Sequence, residues 1–444
     1  MSLFDRYGRL RKEIREGRIL TGPKEILPHL SGRLSKADLP ELLVEPLHID
    51  EVRAALEFAA ERKMKVAVTS GLKPAEVRNL ESCMLILTNG LAASPVFSDR
   101  HRTVRADAGL PMESLSVDLT QTNHRWAPLL PVPAKTSLGE MFALGWEGLR
   151  NWQDGGALTH VGAVEWMAYD GNTYRTGPAG SSENEPDVSG FLFGSRGRMG
   201  IITALELALQ PKPPQRTALL LQLPDALTAV TILSELRAFD PLPETVVYWG
   251  EVATQLLREG TDNRVSSKAA ALLTVEWAEE LPTLPDAWTD FGRLLGDDSA
   301  IQSLWEDLFR FPRITARLYP QRTGIRLKML ALGLADLEEA ARDLGHEFNL
   351  PVALWGTVEA GHLQVWVLQP DGESRTIQHA ETLLGKLYEI AVGLEGTCAP
   401  GTVLPFDSRL IEPPTDDSPL IAIRQRIIEK CDPHGLYVPL TGPA

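Results

Sequence analysis

The sequence predicts an α+β chain of two successive domains, and three observations carry that reading. Residues 187–213 read DVSGFLFGSRGRMGIITALELALQPKP, where Gly194, Gly197 and Gly200 lead directly into an alternating strand. The run PKPPQ at 211–215 breaks any regular element and marks a boundary. Beyond it, strand-like and helix-like stretches alternate as in a β-α-β-β-α-β unit on an antiparallel sheet.

Taken in order, residues 1–40 read as a charged amphipathic helix and a loop; Leu10, Ile14 and Ile19 set among basic residues fit either a solvated face or a docking helix, and the solvated face is the favoured reading. Asp50–Arg62 is a helix, with Asp50 as its N-cap and Val52, Ala55, Leu56 and Ala59 on one side. Lys65–Val68 and Met84–Thr88 are buried strands. In 201–208, Ile201, Thr203, Leu205 and Leu207 face one way, and Ile202, Ala204, Glu206 and Ala208 the other. Past the boundary, strands are expected at 218–223, 246–249, 271–277, 354–358 and 364–367, and helices at 227–239, 336–344 and 376–392.

At 444 residues the chain has room for two or three domains and a large core. A net charge of −15 argues against nucleic acid as a partner, because phosphate binding needs clustered Lys and Arg. The three cysteines, Cys83, Cys398 and Cys431, lie far apart, which suits a reducing, cytoplasmic setting and offers no metal-ligand spacing. No stretch reads as a secretory signal or a membrane span. A Gly-x-x-x-x-Gly-Lys phosphate loop, a Cys-x-x-Cys pair and a Gly-x-Ser-x-Gly elbow are all absent from the sequence.

A Rossmann fingerprint places its glycines after a strand and at the opening of a helix. Here they precede a strand. This turn resembles the last FAD-contacting segment of the p-cresol methylhydroxylase / vanillyl-alcohol oxidase (PCMH) type of flavin domain, where only glycine lets the main chain approach the cofactor. Upstream, SLGEMFALGWEGLRNWQDGGALTHVGAVEWMAYDG at 137–171 resembles another stretch of that family through Gly139, Gly148, Gly155, Val161, Asp170 and Gly171. VEPLHIDEV at 44–52 and TVRADAGLPMESL at 103–115 resemble its opening strand and a later one. IIEKCDPHGLYVP at 427–439 resembles the closing helix and tail of the glycolate oxidase / D-lactate dehydrogenase branch.

The resemblance implies a PCMH-type FAD-binding domain of two subdomains over 41–215. An α+β cap with an antiparallel sheet would follow over 216–400, and 401–444 would return to the flavin domain. It implies main-chain contacts to FAD from Ser70, Gly71 and Leu72, from Pro131, Ser137, Leu138 and Gly139, from Gly148 and Gly155, and from Gly194, Gly197, Gly200, Ile201 and Ile202.

Several positions depart from the family pattern. The pyrophosphate loop, rich in glycine in the family, reads VAVTSGLKPAEV here; Gly71 survives, and Pro74 removes a donor. A strand-to-helix turn capped by Ser70 is the competing reading of that loop. Glu140 stands where the family has the second glycine of a pair, and a carboxylate there repels a pyrophosphate unless it points away. In the cap, GTVEAGHLQ at 356–364 aligns with the family's G-H-x-G-D-G-N-x-H. Thr357 and Gln364 replace the two histidines, Ala360 the aspartate, and His362 stands at the asparagine. In EGTCAPGTV at 395–403, Gly401 and Thr402 fall at a Glu-His pair. Removing a hydroxyl proton needs a titratable base, and neither Thr nor Gln supplies one.

The remaining candidates are His362, the one catalytic candidate kept, with His160, His124, Glu359 and Arg326. Glu359 and His362, three apart on a strand, point to opposite faces, whereas Arg326 and Lys328 share one. His160 lies near the region where some relatives attach flavin covalently. The resemblance thus implies an FAD-linked subunit of a glycolate/D-lactate oxidase-like system with its own hydroxy-acid site lost. Its partners would be a sister flavin subunit and an iron–sulfur subunit. A complete flavoenzyme with a rebuilt site, or a scaffold without flavin, are the alternatives.

Overall fold

The computed structural model describes residues 6–31, 39–71, 75–76, 80–128, 136–153, 155–181, 185–260, 265–278, 282–358, 362–398, 408–410 and 419–438. Leu72, Pro74, Pro131, Glu359, Ala360, Gly401 and Thr402 lie outside them.

The first sheet has the order Arg18–Leu20, Leu42–Glu45, Cys83–Leu87, Lys65–Thr69. The last three strands run parallel, with Arg18–Leu20 antiparallel at the edge. Both Leu42–Glu45 and Cys83–Leu87 are buried throughout, as apolar runs in parallel sheets are. Helix Ile49–Arg62 packs on this sheet through Val52, Ala55, Leu56 and Ala59. It starts one residue earlier than expected: His48 holds the extended cap position, and Asp50 instead bonds Arg53 from within the first turn (2.6 Å).

Near the N-terminus the expectation of a solvated face is overturned. Helix Gly8–Glu13 docks on Ile49–Arg62, burying Leu10 and Ile14 and setting the Tyr7 ring beside Phe58. Apolar side chains spaced four apart make one stripe, and that stripe found a partner helix. The buried carboxylate of Glu51 secures the join. Its Oε1 accepts the N–H groups of Arg15, Glu16 and Gly17 (2.8, 2.8 and 3.1 Å), and its Oε2 that of Leu47 (2.8 Å).

The second sheet is antiparallel, in the order Thr173–Thr176, Val161–Met167, Ile201–Ala208, Thr103–Asp107, Val96–Ser98. Its core side packs on helices Met112–Thr120 and Leu138–Leu144. Helix Pro419–Cys431 adds Ile427, Ile428 and Cys431 to that core. The chain then reaches the first sheet. Val66 donates to Leu436 O and Val438 donates to Val66 O, both at 2.8 Å.

Among the described residues the third sheet has nine strands. Within it, Gln321–Lys328, Leu334–Phe348, Val352–Thr357, His362–Gln369, Ser374–Gly393 and Thr397–Cys398 form a β-α-β-β-α-β unit whose strands lie in the spatial order 4-1-3-2. Helices cover both faces. Leu221, Leu273, Leu354 and Val365 look toward helices Ala226–Leu236, Leu334–Phe348 and Ser374–Gly393. On the other face Trp249, Trp355, Trp366 and Phe311 form an aromatic cluster, with Trp249 and Trp355 stacked at 5.2 Å.

A charged cluster joins the second and third sheets. Arg125 pairs with Glu244 (2.8 Å), and Arg150 reaches both Glu244 (3.8 Å) and Glu276 (3.0 Å). Arg216 and the Trp305 indole N–H also bond Glu276, which is fully buried.

Glu338 has a different environment. Its neighbours are the Glu251 N–H (2.8 Å) and the Tyr248 hydroxyl (3.2 Å), and burial pushes its carboxyl up to about 7. A carboxyl raised on folding binds its proton more tightly in the native state. Its contribution is therefore largest below pH 4.5 and is lost as pH rises to 7. For this shift the loss is about 3 kcal/mol. Glu338→Gln removes the titrating group, so the stability of the variant relative to wild type is expected to rise over that interval. Parallel pH profiles of the two proteins in urea unfolding would refute this.

Candidate functional site

Open parallel sheets bind ligands outside the carboxyl ends of their strands. In the first sheet those ends are Glu45, Thr69 and Leu87, and the chain segments beyond them are locked together through glycines. A Cβ on Gly90 would stand 2.2 Å from Pro46 O, one on Gly109 2.0 Å from Thr88 O, and one on Gly139 2.7 Å from Ala108 Cβ. Gly71, at φ +72°, turns the chain beside Asn89. These contacts bring the first turn of helix Leu138–Leu144 to the end of strand Lys65–Thr69.

At that corner the buried Ser70 hydroxyl donates to Glu140 Oε2 (2.7 Å). The amides of the helix turn are already committed. Leu138 N–H donates to Leu110 O, Gly139 N–H to Ala108 O, Glu140 N–H to Ser137 Oγ and Met141 N–H to Ser137 O, at 2.8–3.1 Å. Ser137 is thus the N-cap of this helix. Asn89 Oδ1, beside Gly71, and Thr136 Oγ1, one residue before Ser137, are buried and have no hydrogen-bond partner among the described residues.

The glycine turn has a different character. Gly194, Gly197 and Gly200 take φ of +71°, +78° and +132°. A Cβ on Gly200 would stand 2.4 Å from Met167 O, so Gly200 permits strand packing. A Cβ on Gly197 would have no described atom within 4 Å. The side chains of Ile201 and Ile202 sink into two separate cores. Gly148 and Gly155, both at positive φ, shape the loop between helix Leu138–Leu144 and strand Val161–Met167. His160 is buried in the turn before that strand, and His124 pairs through its backbone with Pro211.

That loop faces the third sheet. Thr357, His362, Gln364 and Arg326 share a sheet face, through the pairs Thr357–His362 and Arg326–Gln364. Thr357, Gln364 and Arg326 are buried, whereas Lys328 is exposed. Asn151 in the loop donates to Thr357 Oγ1 (3.1 Å). The Arg326 guanidinium bonds the His362 ring. A guanidinium only donates, so the ring nitrogen it meets is an acceptor whose lone pair is engaged. Burial pushes the Glu147 carboxyl upward, opposed by the charges of Arg326 and Lys328. Its Oε2 fills the space beside Gly156, 1.9 Å from where a Cβ would stand. Sequence reasoning missed Glu147 and Asn151; the only signal was an acidic residue lodged in GWEGLRN.

No family model matches the chain. It is 20% identical over 422 residues to glycolate oxidase subunit GlcD of Bacillus subtilis (strain 168), covering 87% of each. Alkyldihydroxyacetonephosphate synthase superposes with a TM-score of 0.70 at 13% identity, covering 98% of this chain and 86% of that one. p-Cresol methylhydroxylase with substrate bound gives 0.70 at 12% identity, covering 97% and 94%. 4-Ethylphenol oxidase from Gulosibacter chungangensis gives 0.66 at 10% identity, covering 88% and 87%. The chain therefore has the fold of the PCMH-type FAD-binding oxidases. In sequence it is related to a glycolate oxidase subunit.

That fold implies FAD, and the glycine turn and the Ser70 corner answer differently. At Gly197 no described atom lies within 4 Å of a Cβ position, so the main chain there is open to close approach. Among the described residues the corner at Ser70 offers no amide donor to a pyrophosphate. The donors of the adjoining helix turn are spent on the protein itself, and a carboxylate stands on the serine hydroxyl.

Proposed function

We propose that this chain is a subunit of a 2-hydroxy-acid oxidase-like system and has no hydroxy-acid site of its own. The sheet face against which the loop packs carries this reading. Its buried positions Thr357 and Gln364 hold groups that do not titrate, and the one imidazole there is tied to Arg326. Nothing in that set takes a proton from an α-hydroxyl group. Residues 41–215 form the flavin-type domain of this proposal, 216–400 the cap, and the final segment belongs with the former. Oxidation would then fall to a sister flavin subunit, with an iron–sulfur subunit taking the electrons. A cytoplasmic setting agrees with the free thiols of Cys83 and Cys431. Among the described residues no helix is long and apolar enough to cross a membrane.

One observation favours a second reading, a complete enzyme with a rebuilt site. Glu147 is a titratable carboxyl raised by burial beside two cations, the environment in which catalytic carboxyls are found. Dye reduction with glycolate and with D-lactate separates the readings. The purified chain is expected to give no substrate-dependent reduction by itself, and activity is expected when a catalytically complete sister subunit is added. Turnover by the chain alone that disappears in Glu147→Gln or His362→Ala would establish the second reading.

A further inference from the structure

The crevice at the carboxyl ends of the parallel strands is where this architecture places a ligand, yet the chain has put a charge of its own there. Ser70 is 1% exposed at the end of its strand, and the residue that satisfies its hydroxyl comes from a helix 70 positions later. Close glycine contacts link the two segments through the turns between them, Gly71 beside Asn89, Gly109 on Thr88 and Gly139 on Ala108. The described amides beside Glu140 are bonded within the protein, whereas Asn89 Oδ1 and Thr136 Oγ1 are buried without partners among the described residues. The corner keeps polar atoms suited to a bound molecule but carries the wrong charge for a diphosphate.

We propose that Glu140 is a built-in anion standing in the phosphate position of this crevice, and that its charge excludes nucleotides carrying a pyrophosphate. The proposal rests on the non-catalytic reading above and explains how such a subunit retains the oxidase fold without needing the cofactor. The carboxylate takes over one job of a bound phosphate, linking the first sheet to the helix of the second through Ser70. It also places a negative charge where an incoming diphosphate would stand, and like charges in a partly buried site repel strongly.

Titration of the full chain with ADP, FAD and riboflavin, followed by intrinsic tryptophan fluorescence, tests this. ADP carries the pyrophosphate without the flavin, and riboflavin the flavin without phosphate. Glu140→Gln keeps the hydrogen bond to Ser70 and removes the charge. It is expected to bind ADP and FAD at least about tenfold more tightly than wild type, a gain that shrinks with added salt, with riboflavin unchanged. Ser70→Ala removes the bond and leaves the charge, so its affinity for ADP should stay at the wild-type level. A wild-type protein purified with stoichiometric FAD would overturn the proposal. So would a folded Glu140→Gln protein with unchanged ADP affinity, or equal gains in both variants. Should Glu140→Gln fail to fold, Glu140→Asp serves instead: it keeps the charge, so tighter ADP binding in that variant would refute the proposal and wild-type affinity would uphold it. Glycolate turnover by the wild-type chain alone would defeat the functional reading, whereas the ADP titration judges Glu140 whatever the turnover result.

Discussion

Glu276→Ala is expected to lower the unfolding free energy by about 3–5 kcal/mol, the cost typical of breaking a buried ion pair from one side. Glu276 is fully buried and takes bonds from Arg150, Arg216 and the Trp305 indole. Alanine would leave two guanidinium groups facing each other in the interior. Glu244, already paired with Arg125, can offset only part of that. Glu276→Gln keeps the shape and some of the bonds, so its loss should be smaller. Because Arg150 comes from the loop beside the second sheet and Glu276 from the third, the defect should also loosen the two parts from each other. Urea unfolding would read the first effect, and proteolysis at the 211–215 linker the second. A loss under about 1 kcal/mol would place this cluster with surface ion pairs, which are worth that little.

Glu51→Ala should cost about 2–4 kcal/mol, since hydrogen bonds to a charged group contribute about 1.5–3 kcal/mol each and the freed amides regain some water. Four backbone donors converge on this one carboxylate. Without it the turn at 15–17 has no acceptor, and Leu10 and Ile14 lose the anchor that holds their helix on Ile49–Arg62. Burial acts to raise the Glu51 carboxyl, but the four amide bonds outweigh it and hold the carboxyl below its ordinary value. A depressed carboxyl stabilises the fold above its unfolded pKa, and that stability is lost as pH falls through the folded one. Wild type should therefore shed this stability in acid, and Glu51→Ala should not. Equal acid midpoints for the two proteins would show that the carboxylate contributes nothing there.

The strands and helices were legible where period and length agreed. Strand Ala271–Trp277 lies where its apolar run put it, and helix Ile49–Arg62 differs from expectation by one residue at its start. For Gly8–Glu13 the sequence leaves both a solvated face and docking open and favours the wrong one, because a short stripe reads the same whether it meets water or another helix. In the candidate site, the departures at Glu140, Thr357 and Gln364 could be read from the sequence because each replaces a residue the fold's relatives use. Their consequences could not. That Glu140 meets Ser70, that Arg326 engages His362, and that Glu147 lies near both cations depend on segments distant in sequence converging. No local pattern encodes such meetings.

The hydrogen bonds that Val66 shares with Leu436 and Val438 carry a consequence for biosynthesis. Strand Lys65–Thr69 emerges from the ribosome early, yet the segment that covers its open side follows 370 positions later, as the Lys65–Gly435 contact measures. At about 5–20 residues per second, that exposed edge waits roughly 20–70 s for its partner. Unpaired edges recruit other chains. The nascent protein is thus most vulnerable to aggregation while the third sheet is still being made, and it is in that interval that a chaperone would have the most to shield.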